Sequence, residues 1–573
     1  MSAFRAALSS AVSTTPRSSK VLKYGTAGFR DRADLPLDGM FLRVGILAVL
    51  RSRSASGQTV GVMITASHND ECDNGVKVVD PDGGMLSSAW EPLTELLANA
   101  STPEAFSEAL TRIESSQRLA GITGGVVMVG RDTRPHSAGF LACVRKGVEA
   151  AGGTLLDLGV ATTPQLHFAV QRANEAGSGG SSPSAFSAAR ALTDYYSTLA
   201  GGCSELLDSA TGTPPSAAFV ADGGSFSVVV DGSCGVGASA VSTLVDCMVA
   251  RGERRLAISL RNNVGSGPVN AGCGAELVQK QQVPPKGVSS VMDAGKLMCS
   301  FDGDADRIVF HIFPEPGAPW VLLDGDKIAA LMAVLLVQEL REAGLSQSTR
   351  KGGPFSLGVV QTAYANGAST AFLRSQGVAV AMAKTGVKYL HHEALAFDVG
   401  VYFEANGHGT VLFSKRLREF LDSQVDCVEP VSACLSNRQE LALRRLHACT
   451  RVINQAVGDA LSDLLATLAC LRVLGLGAMD WSALFADLPS RQLKQVVGDK
   501  SAIVCSDDET RVVQPPALAA KLAAAMGAVE QGRCFVRPSG TEDVVRVYAE
   551  AKTQAAADAL AEEARLAVLE FCK

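Results

Sequence analysis

The sequence contains no Cys-x-x-Cys pair, no apolar run long enough to cross a bilayer and no excess of positive charge. Its fourteen cysteines are scattered singly. That pattern argues against a zinc site or a disulfide framework and points to a reduced, cytoplasmic setting. The longest apolar stretch, Ala329 to Val337, falls well short of the ~20 residues that span a membrane. A net charge of -6 gives no electrostatic case for nucleic acid or an anionic lipid surface. No repeat of short fixed period is present either, which excludes a solenoid.

What is present is an ordinary globular composition, 47% apolar and 19% charged, in a chain of 573 residues. Single cores stop growing near roughly 250 to 300 residues, so three or four domains are expected. Short β-branched runs at Thr59 to Thr65, Gly125 to Gly130, Ser227 to Asp231 and Leu357 to Gln361 read as strands. They alternate with Ala- and Leu-rich helical stretches such as Ala138 to Ala151 and Ile328 to Ala343, the signature of α/β layers. Near Cys427 to Asn437 the pattern turns mainly helical, with a helical stretch at Ile453 to Val473 and a strand, loop, strand unit at Phe535 to Ala549. Gly177 to Ser187 is low in complexity and reads as a surface insertion. The first twenty residues read as a loose arm that apolar Phe4, Ala7 and Leu8 can dock, although their lack of acids is also a feature of transit peptides.

Four motifs carry chemistry. In Phe301-Asp302-Gly303-Asp304-Ala305-Asp306-Arg307, three carboxylates alternate with small residues. Only a tightly curled loop converges Asp302, Asp304 and Asp306 on one point, where their mutual repulsion invites a hard cation, Mg2+ being favoured. A calcium EF-hand is excluded, because Arg307 and Phe313 stand where its glycine and bidentate glutamate belong. Ile64-Thr65-Ala66-Ser67-His68-Asn69 places Ser67 at the end of an apolar strand, where α/β folds present functional groups. No Gly-x-Ser-x-Gly elbow surrounds that serine, which disfavours acyl transfer. Taken alone, it also fits a turn serine that caps a helix.

The third motif, Arg537-Pro538-Ser539-Gly540-Thr541-Glu542 with Arg546 downstream, reads as a phosphate cradle. Successive backbone N–H groups through Ser539, Gly540 and Thr541 can form an anion nest, and arginine offers a planar fork. It lacks the Gly-Lys-Ser/Thr ending of a Walker loop. The fourth, Phe403-Glu404-Ala405-Asn406-Gly407-His408-Gly409, is a hairpin signal through Asn-Gly, and Glu404 and Asn406 have the donors and acceptors that adjacent sugar hydroxyls require. Weaker clusters are Tyr24 to Arg30, where Arg30 offers a cation, Lys77, which a hairpin can bring near Ser67, and Arg131-Asp132-Thr133-Arg134, which reads as a capped βα turn.

In this order, together with GRDTRP, LLDGDK, VVQTAYANG and KTGVK, the motifs resemble the α-D-phosphohexomutase superfamily, within it the branch acting on N-acetylglucosamine phosphates. The resemblance runs from Tyr24 to Ala551. It implies a four-domain architecture around a central cleft: α/β mixed-sheet domains at 1–190, 191–321 and 322–440, then a smaller α+β domain at 441–573. The implied reaction interconverts N-acetylglucosamine 6-phosphate and N-acetylglucosamine 1-phosphate, through phosphorylated Ser67 and a bisphosphate intermediate. By the same resemblance Ser67, Asp302, Asp304 and Asp306 hold Mg2+, and Glu404, Ala405 and Asn406 contact the sugar. Arg537, Pro538, Ser539, Gly540, Thr541 and Arg546 hold the phosphate that is not transferred. A monomer is expected.

One departure stands out: the superfamily usually has proline after Ser-His-Asn, and here the residue is Asp70. His68 and Lys77 are the candidates for the general base, Lys77 only if its pKa is lowered, with Arg30 adding charge stabilisation. Closure of the cleft is expected through a linker near Cys427 to Asn437. The rival readings are a phosphoglucomutase or phosphomannomutase, a phosphatase, and a catalytically silent sugar-phosphate-binding protein.

Overall fold

The computed structural model describes residues 2–25, 27–177, 187–210, 220–221, 225–346, 354–425, 436–540 and 543–572. The insertion expected at Gly177 to Ser187 and the linker expected near Cys427 to Asn437 therefore lie almost wholly outside the described residues, as does Thr541. The chain divides into two compact units, Met1–Leu322 with Ala448–Ala469, and Leu323–His447 with Cys470–Lys573.

In the first unit, a five-stranded mixed sheet has the order β1-β3-β2-β4-β5, from β1 (Phe29–Arg32), β2 (Thr59–Ile64), β3 (Asp73–Val79), β4 (Val126–Arg131) and β5 (Thr154–Val160). β2, β4 and β5 run parallel, while β3 lies antiparallel between β1 and β2. The strand β2 is buried on both faces, as strands covered by helices on each side must be. Two of those helices, Asp38–Ser54 and Ser137–Ala150, cross so closely that a Cβ on Gly45 would lie 2.4 Å from the Val144 carbonyl oxygen and one on Gly147 2.0 Å from that of Leu42. Only glycine admits that approach.

The expected loose N-terminal arm is instead a helix, Ser2–Ser13, whose Leu8 is buried in the core of this sheet with Ala11 and Val12. Arg5 fixes it from outside through Thr111 and Glu114.

The second sheet of this unit contains β6 (Val220–Ala221), β7 (Ser225–Asp231), β8 (Leu256–Arg261), β9 (Leu297–Phe301), β10 (Ile308–Ile312) and β11 (Val321–Leu323), with β7 parallel to β8 and β9 and β10 antiparallel to β9. The turn from β9 to β10 carries the three aspartates. The helix read at Ile453 to Val473 begins only at Ala460. Asp459 accepts from the Leu461 and Ser462 N–H groups and so starts the helix there, as an acidic N-cap does.

The other unit holds a four-stranded sheet, β13-β12-β14-β15, from β12 (Leu357–Thr362), β13 (Ala379–Ala383), β14 (Val399–Phe403) and β15 (Gly409–Phe413). Its β14 and β15 form an antiparallel hairpin. A separate antiparallel sheet, β16-β20-β19, is made by β16 (Ser490–Val496), β19 (Arg533–Pro538) and β20 (Val544–Glu550), and β17 (Val504–Cys505) pairs with β18 (Val512–Gln514) beside it. Leu518, Leu522, Val536, Val547, Leu560 and Val568 make up much of its core, closed by the helices Pro516–Gly527 and Gln554–Phe571.

Candidate active site

Ser67 lies just past the carboxyl end of β2, buried to 2% exposure and at φ +50°. A left-handed backbone at a serine costs of order 1 kcal/mol or more and needs surroundings that impose it. Here Thr65 Oγ1 accepts the Ser67 N–H at 2.9 Å and donates to Asp132 Oδ2 at 2.7 Å. The Ser67 and Asn69 carbonyls accept from Arg134 Nη2 at 3.2 and 2.5 Å and from Asn270 Nδ2 at 2.9 and 2.8 Å. Arg134 is itself held by Asp132 at 2.7 Å, with both side chains essentially inaccessible. The result is a serine hydroxyl presented in one orientation, donating to Asp302 Oδ2 at 2.8 Å.

Asp302, Asp304 and Asp306 are all buried, and one carboxylate oxygen of each lies within 4.8 Å of the others. Asp302 Oδ1 curls the loop by accepting the Asp306 and Arg307 N–H groups at 3.1 and 3.3 Å. Burial, then the charges of Asp306 and Asp304, pushes the Asp302 carboxyl well above its ordinary range. Asp304 Oδ1 is buried without a hydrogen-bond partner. A hard divalent cation answers both features, because it compensates the carboxylates and takes oxygen ligands.

Lys77, opposite Met63 on the β2–β3 pair, reaches Asp304 Oδ2 at 3.0 Å and Asp306 Oδ2 at 2.9 Å. Burial alone would lower its ammonium, but the two aspartates outweigh that and raise it above its ordinary value. Lys77 pairs as an ammonium with both carboxylates, whereas the base role considered from the sequence asks for a lowered pKa. His68 places Nδ1 3.4 Å from Ser67 Oγ. Burial, then Arg307 and Arg30, hold its pKa well below the usual value. Arg30 donates to Asn69 Oδ1 at 3.0 Å and lies 3.5 Å from His68 Nε2. Asp70, the departure from the usual proline, is exposed, and its carbonyl accepts the Asp73 N–H at 3.0 Å.

In the other unit, Glu404, Ala405 and Asn406 cap the β14–β15 hairpin. The turn closes through Glu404 N–H to His408 O at 2.9 Å and Gly407 N–H to Glu404 O at 2.8 Å, with Gly407 at φ +82°. Asn406 Oδ1 accepts the His408 N–H at 3.0 Å, leaving its amide 3.4 Å from Glu404 Oε2. The Ala405 carbonyl accepts from Gly325, where a Cβ would sit 1.9 Å from the Glu404 carbonyl oxygen, so LLDGDK needs its glycine to approach the loop.

Arg537 and Arg546 face each other directly across β19 and β20. Two like charges in that register repel, and an anion between their guanidinium groups relieves the repulsion. The nest expected over three consecutive amides is modified, because the Ser539 N–H closes the hairpin on Val544 O at 2.9 Å. Gly540 is exposed.

Comparison with known proteins accords with this geometry. Family models match as phosphoacetylglucosamine mutase AMG1, domain III (residues 324–476), phosphoglucomutase/phosphomannomutase, C-terminal domain (505–567), and phosphoglucomutase/phosphomannomutase, alpha/beta/alpha domain I (48–104 and 98–180). The phosphoacetylglucosamine mutase of Oryza sativa subsp. japonica is 43% identical over 94% of this chain and 92% of its own length, and that of Homo sapiens 41% over 96% and 94%. The chain belongs to the phosphoacetylglucosamine mutase family. Its fold is that of the Aspergillus fumigatus N-acetylphosphoglucosamine mutase solved in complex with GlcNAc-6P and magnesium, at TM-score 0.87 and 36% identity, covering 100% of this chain and 99% of that one.

Several residues around this site act through contacts that only the fold creates. Thr163 Oγ1 donates to Asp304 Oδ2 at 2.5 Å from 141 positions away, and Asn270 supports Ser67 from 203. Arg134 was read as part of a capped turn, yet it fastens the serine loop. Arg307, inside the aspartate motif, pairs with Glu276 at 3.2 Å and approaches Asp302 and Asp306 at 3.8 and 3.7 Å.

Proposed function

We propose that this chain interconverts N-acetylglucosamine 6-phosphate and N-acetylglucosamine 1-phosphate through phosphorylated Ser67 and a bisphosphate intermediate, the step that supplies UDP-N-acetylglucosamine synthesis. The observation that carries the reading is the 2.8 Å bond from the Ser67 hydroxyl to Asp302 within a buried three-aspartate cluster. Phosphoryl transfer asks a protein for alignment and charge neutralisation more than for covalent help.

Asp302, Asp304 and Asp306, with an oxygen of phosphorylated Ser67, hold Mg2+. When bound, the cation withdraws negative charge from the phosphoryl group. The locked serine loop aims the Ser67 oxygen along one direction, and Arg30 supplies a further positive charge. His68, beside Ser67 Oγ, is the better placed of the two base candidates. Glu404, Ala405 and Asn406 bind the sugar, while Arg537, Pro538, Ser539, Gly540, Thr541 and Arg546 hold the phosphate that is not transferred.

The domains of this reading are 1–190, 191–321, 322–440 and 441–573. Strands β1–β5, β6–β10, β12–β15 and β16–β20 fall in turn within them. On this reading the protein is a monomer. The twelve cysteines among the described residues are all free, which supports a reducing cytoplasm. Among those residues no helix is long and apolar enough to cross a membrane.

Coupled assays on acetylated and unmodified sugar phosphates test the specificity. The expected result is preference for the acetylated sugar and loss of turnover by orders of magnitude in Ser67→Ala. Preference for glucose 1-phosphate overturns it, and free phosphate released as fast as isomer forms identifies a phosphatase instead.

A further inference from the structure

Beside the phosphate-holding strand pair lies a carboxylate that the roles above leave unused. Glu509 sits in the turn between β17 and β18 at φ +57°. A left-handed glutamate is uncommon and persists only when its surroundings dictate it. Those surroundings are specific. The Glu509 N–H closes the turn on Ser506 O at 2.9 Å, and Asp508 Oδ1 accepts from Ser506 Oγ, the Thr510 N–H and Thr510 Oγ1 at 2.5 to 3.2 Å. Cys505 Sγ donates to the Val536 carbonyl at 3.2 Å, tying the turn to the residue beside Arg537.

The turn delivers one carboxylate to two partners. Glu509 Oε2 accepts the Thr385 N–H of the KTGVK segment at 3.0 Å and stands 3.6 Å from Arg537 Nε. That second distance is an ion pair without a hydrogen bond, and Arg537 Nε is buried with no hydrogen-bond partner. The arginine is therefore attracted but not saturated. Its guanidinium also lies 5.8 Å from the Tyr364 ring centroid.

We infer that Glu509 is a positioning residue that competes with substrate phosphate for Arg537 and so keeps the phosphate seat releasable. The inference rests on the proposed mutase reading, in which the bisphosphate must leave the seat, turn round and return once per cycle. A phosphate between Arg537 and Arg546 without an opposing charge would be held too long. Glu509 supplies that charge from the Nε side, leaving the Nη edge for the ligand, and its bond to Thr385 keeps it there when the seat fills.

The test is binding of inorganic phosphate to the full chain by calorimetry, beside mutase kinetics, in wild type, Glu509→Gln and Glu509→Gly. Glutamine preserves size and an acceptor for Thr385 while removing the charge. Glycine suits the left-handed backbone and keeps the turn folded. Both variants are expected to bind phosphate about 3- to 10-fold more tightly, roughly 0.7 to 1.4 kcal/mol by the affinity conversion, with KM and kcat falling together. Unchanged or weaker phosphate binding in both overturns the inference while leaving the mutase reading in place. Failure of wild type to bind phosphate in a way that Arg537→Ala abolishes overturns the assignment of the seat, and the inference with it.

Discussion

The two compact units build their functional residues in opposite ways. In one, Ser67, Asp132, Arg134, Thr163, Asn270, Asp302 and Asp304 come from distant parts of the sequence and are held by a network of hydrogen bonds, most of them buried and made to carboxylates. In the other, Glu404 to Asn406 and Arg537 with Arg546 ride on two local hairpins whose turns close on themselves. Buried polar networks rigidify when every member is satisfied and cost heavily when one is removed. Hairpin tips tolerate change at the backbone and lose only the contact a side chain makes to its ligand. The first arrangement suits atoms that must align for bond making, the second suits recognition.

Removing one member of the buried set separates the two most strongly. Asp304→Asn leaves Lys77 with one buried partner and removes a cation ligand, so turnover should fall at least about 1000-fold. Lys77→Met, which leaves Asp304 and Asp306 without their ammonium partner, should lower stability in denaturation by roughly 3 to 5 kcal/mol, with Asp304→Asn in the same chain restoring part of the stability and none of the turnover. Equal loss of both properties in the single and double variants would show that Lys77 is not the counter-ion. On the hairpin side, Arg537→Ala should cost roughly 1.5 to 3 kcal/mol of phosphate interaction, about 10- to 150-fold in kcat/KM, with the melting temperature unchanged. A large fall in melting temperature would contradict the claim that this side is locally built.

Effects away from the site residues sharpen the same contrast. His311, fully buried in the first unit, accepts from Trp320 Nε1 and bonds Ser300, and burial pushes its pKa down to about 3. Its unfolded value is about 6.5, so below that pH the unfolded chain binds a proton that the folded chain refuses. Stability is therefore complete above pH 6.5 and lost by about 1.4 kcal/mol per unit as pH falls toward 3. Urea midpoints between pH 7 and 5 in wild type and His311→Gln check this, and identical slopes would remove the histidine from the account. Last, Leu8→Ala in the N-terminal helix should lower stability by about 2 to 5 kcal/mol and leave turnover per folded molecule unaltered. An unaltered denaturation curve would mean that the helix is not docked.

The same contrast decides what could be read before the coordinates. The hairpin at Asn406-Gly407 was legible because its turn chemistry is contiguous, and the aspartate motif because its alternation has few other uses. Strands β2 and β4 were read to within a residue, since a run buried on both faces is apolar throughout. Asn270, Thr163 and Glu276 were not legible: each acts only through contacts that the fold creates, and an isolated Asn, Thr or Glu carries no pattern. Lys77 lies across the β2–β3 hairpin from Met63, but its ion pairs with Asp304 and Asp306, more than two hundred residues on, carry no local signal. The helix expected from Ile453 starts only at Ala460, because Asp459 caps it there, and the Ser539 amide, expected to face an anion, closes on the Val544 carbonyl instead.

The most direct measurement maps the phosphate itself. Protein incubated with N-acetylglucosamine 1,6-bisphosphate, digested and sequenced by mass spectrometry, should carry one phosphate on Ser67, and a chase with N-acetylglucosamine 1-phosphate should remove it. Phosphate on a different residue, or full mutase activity in a preparation whose Ser67 stays unmodified throughout, would contradict the claim that this serine carries the group.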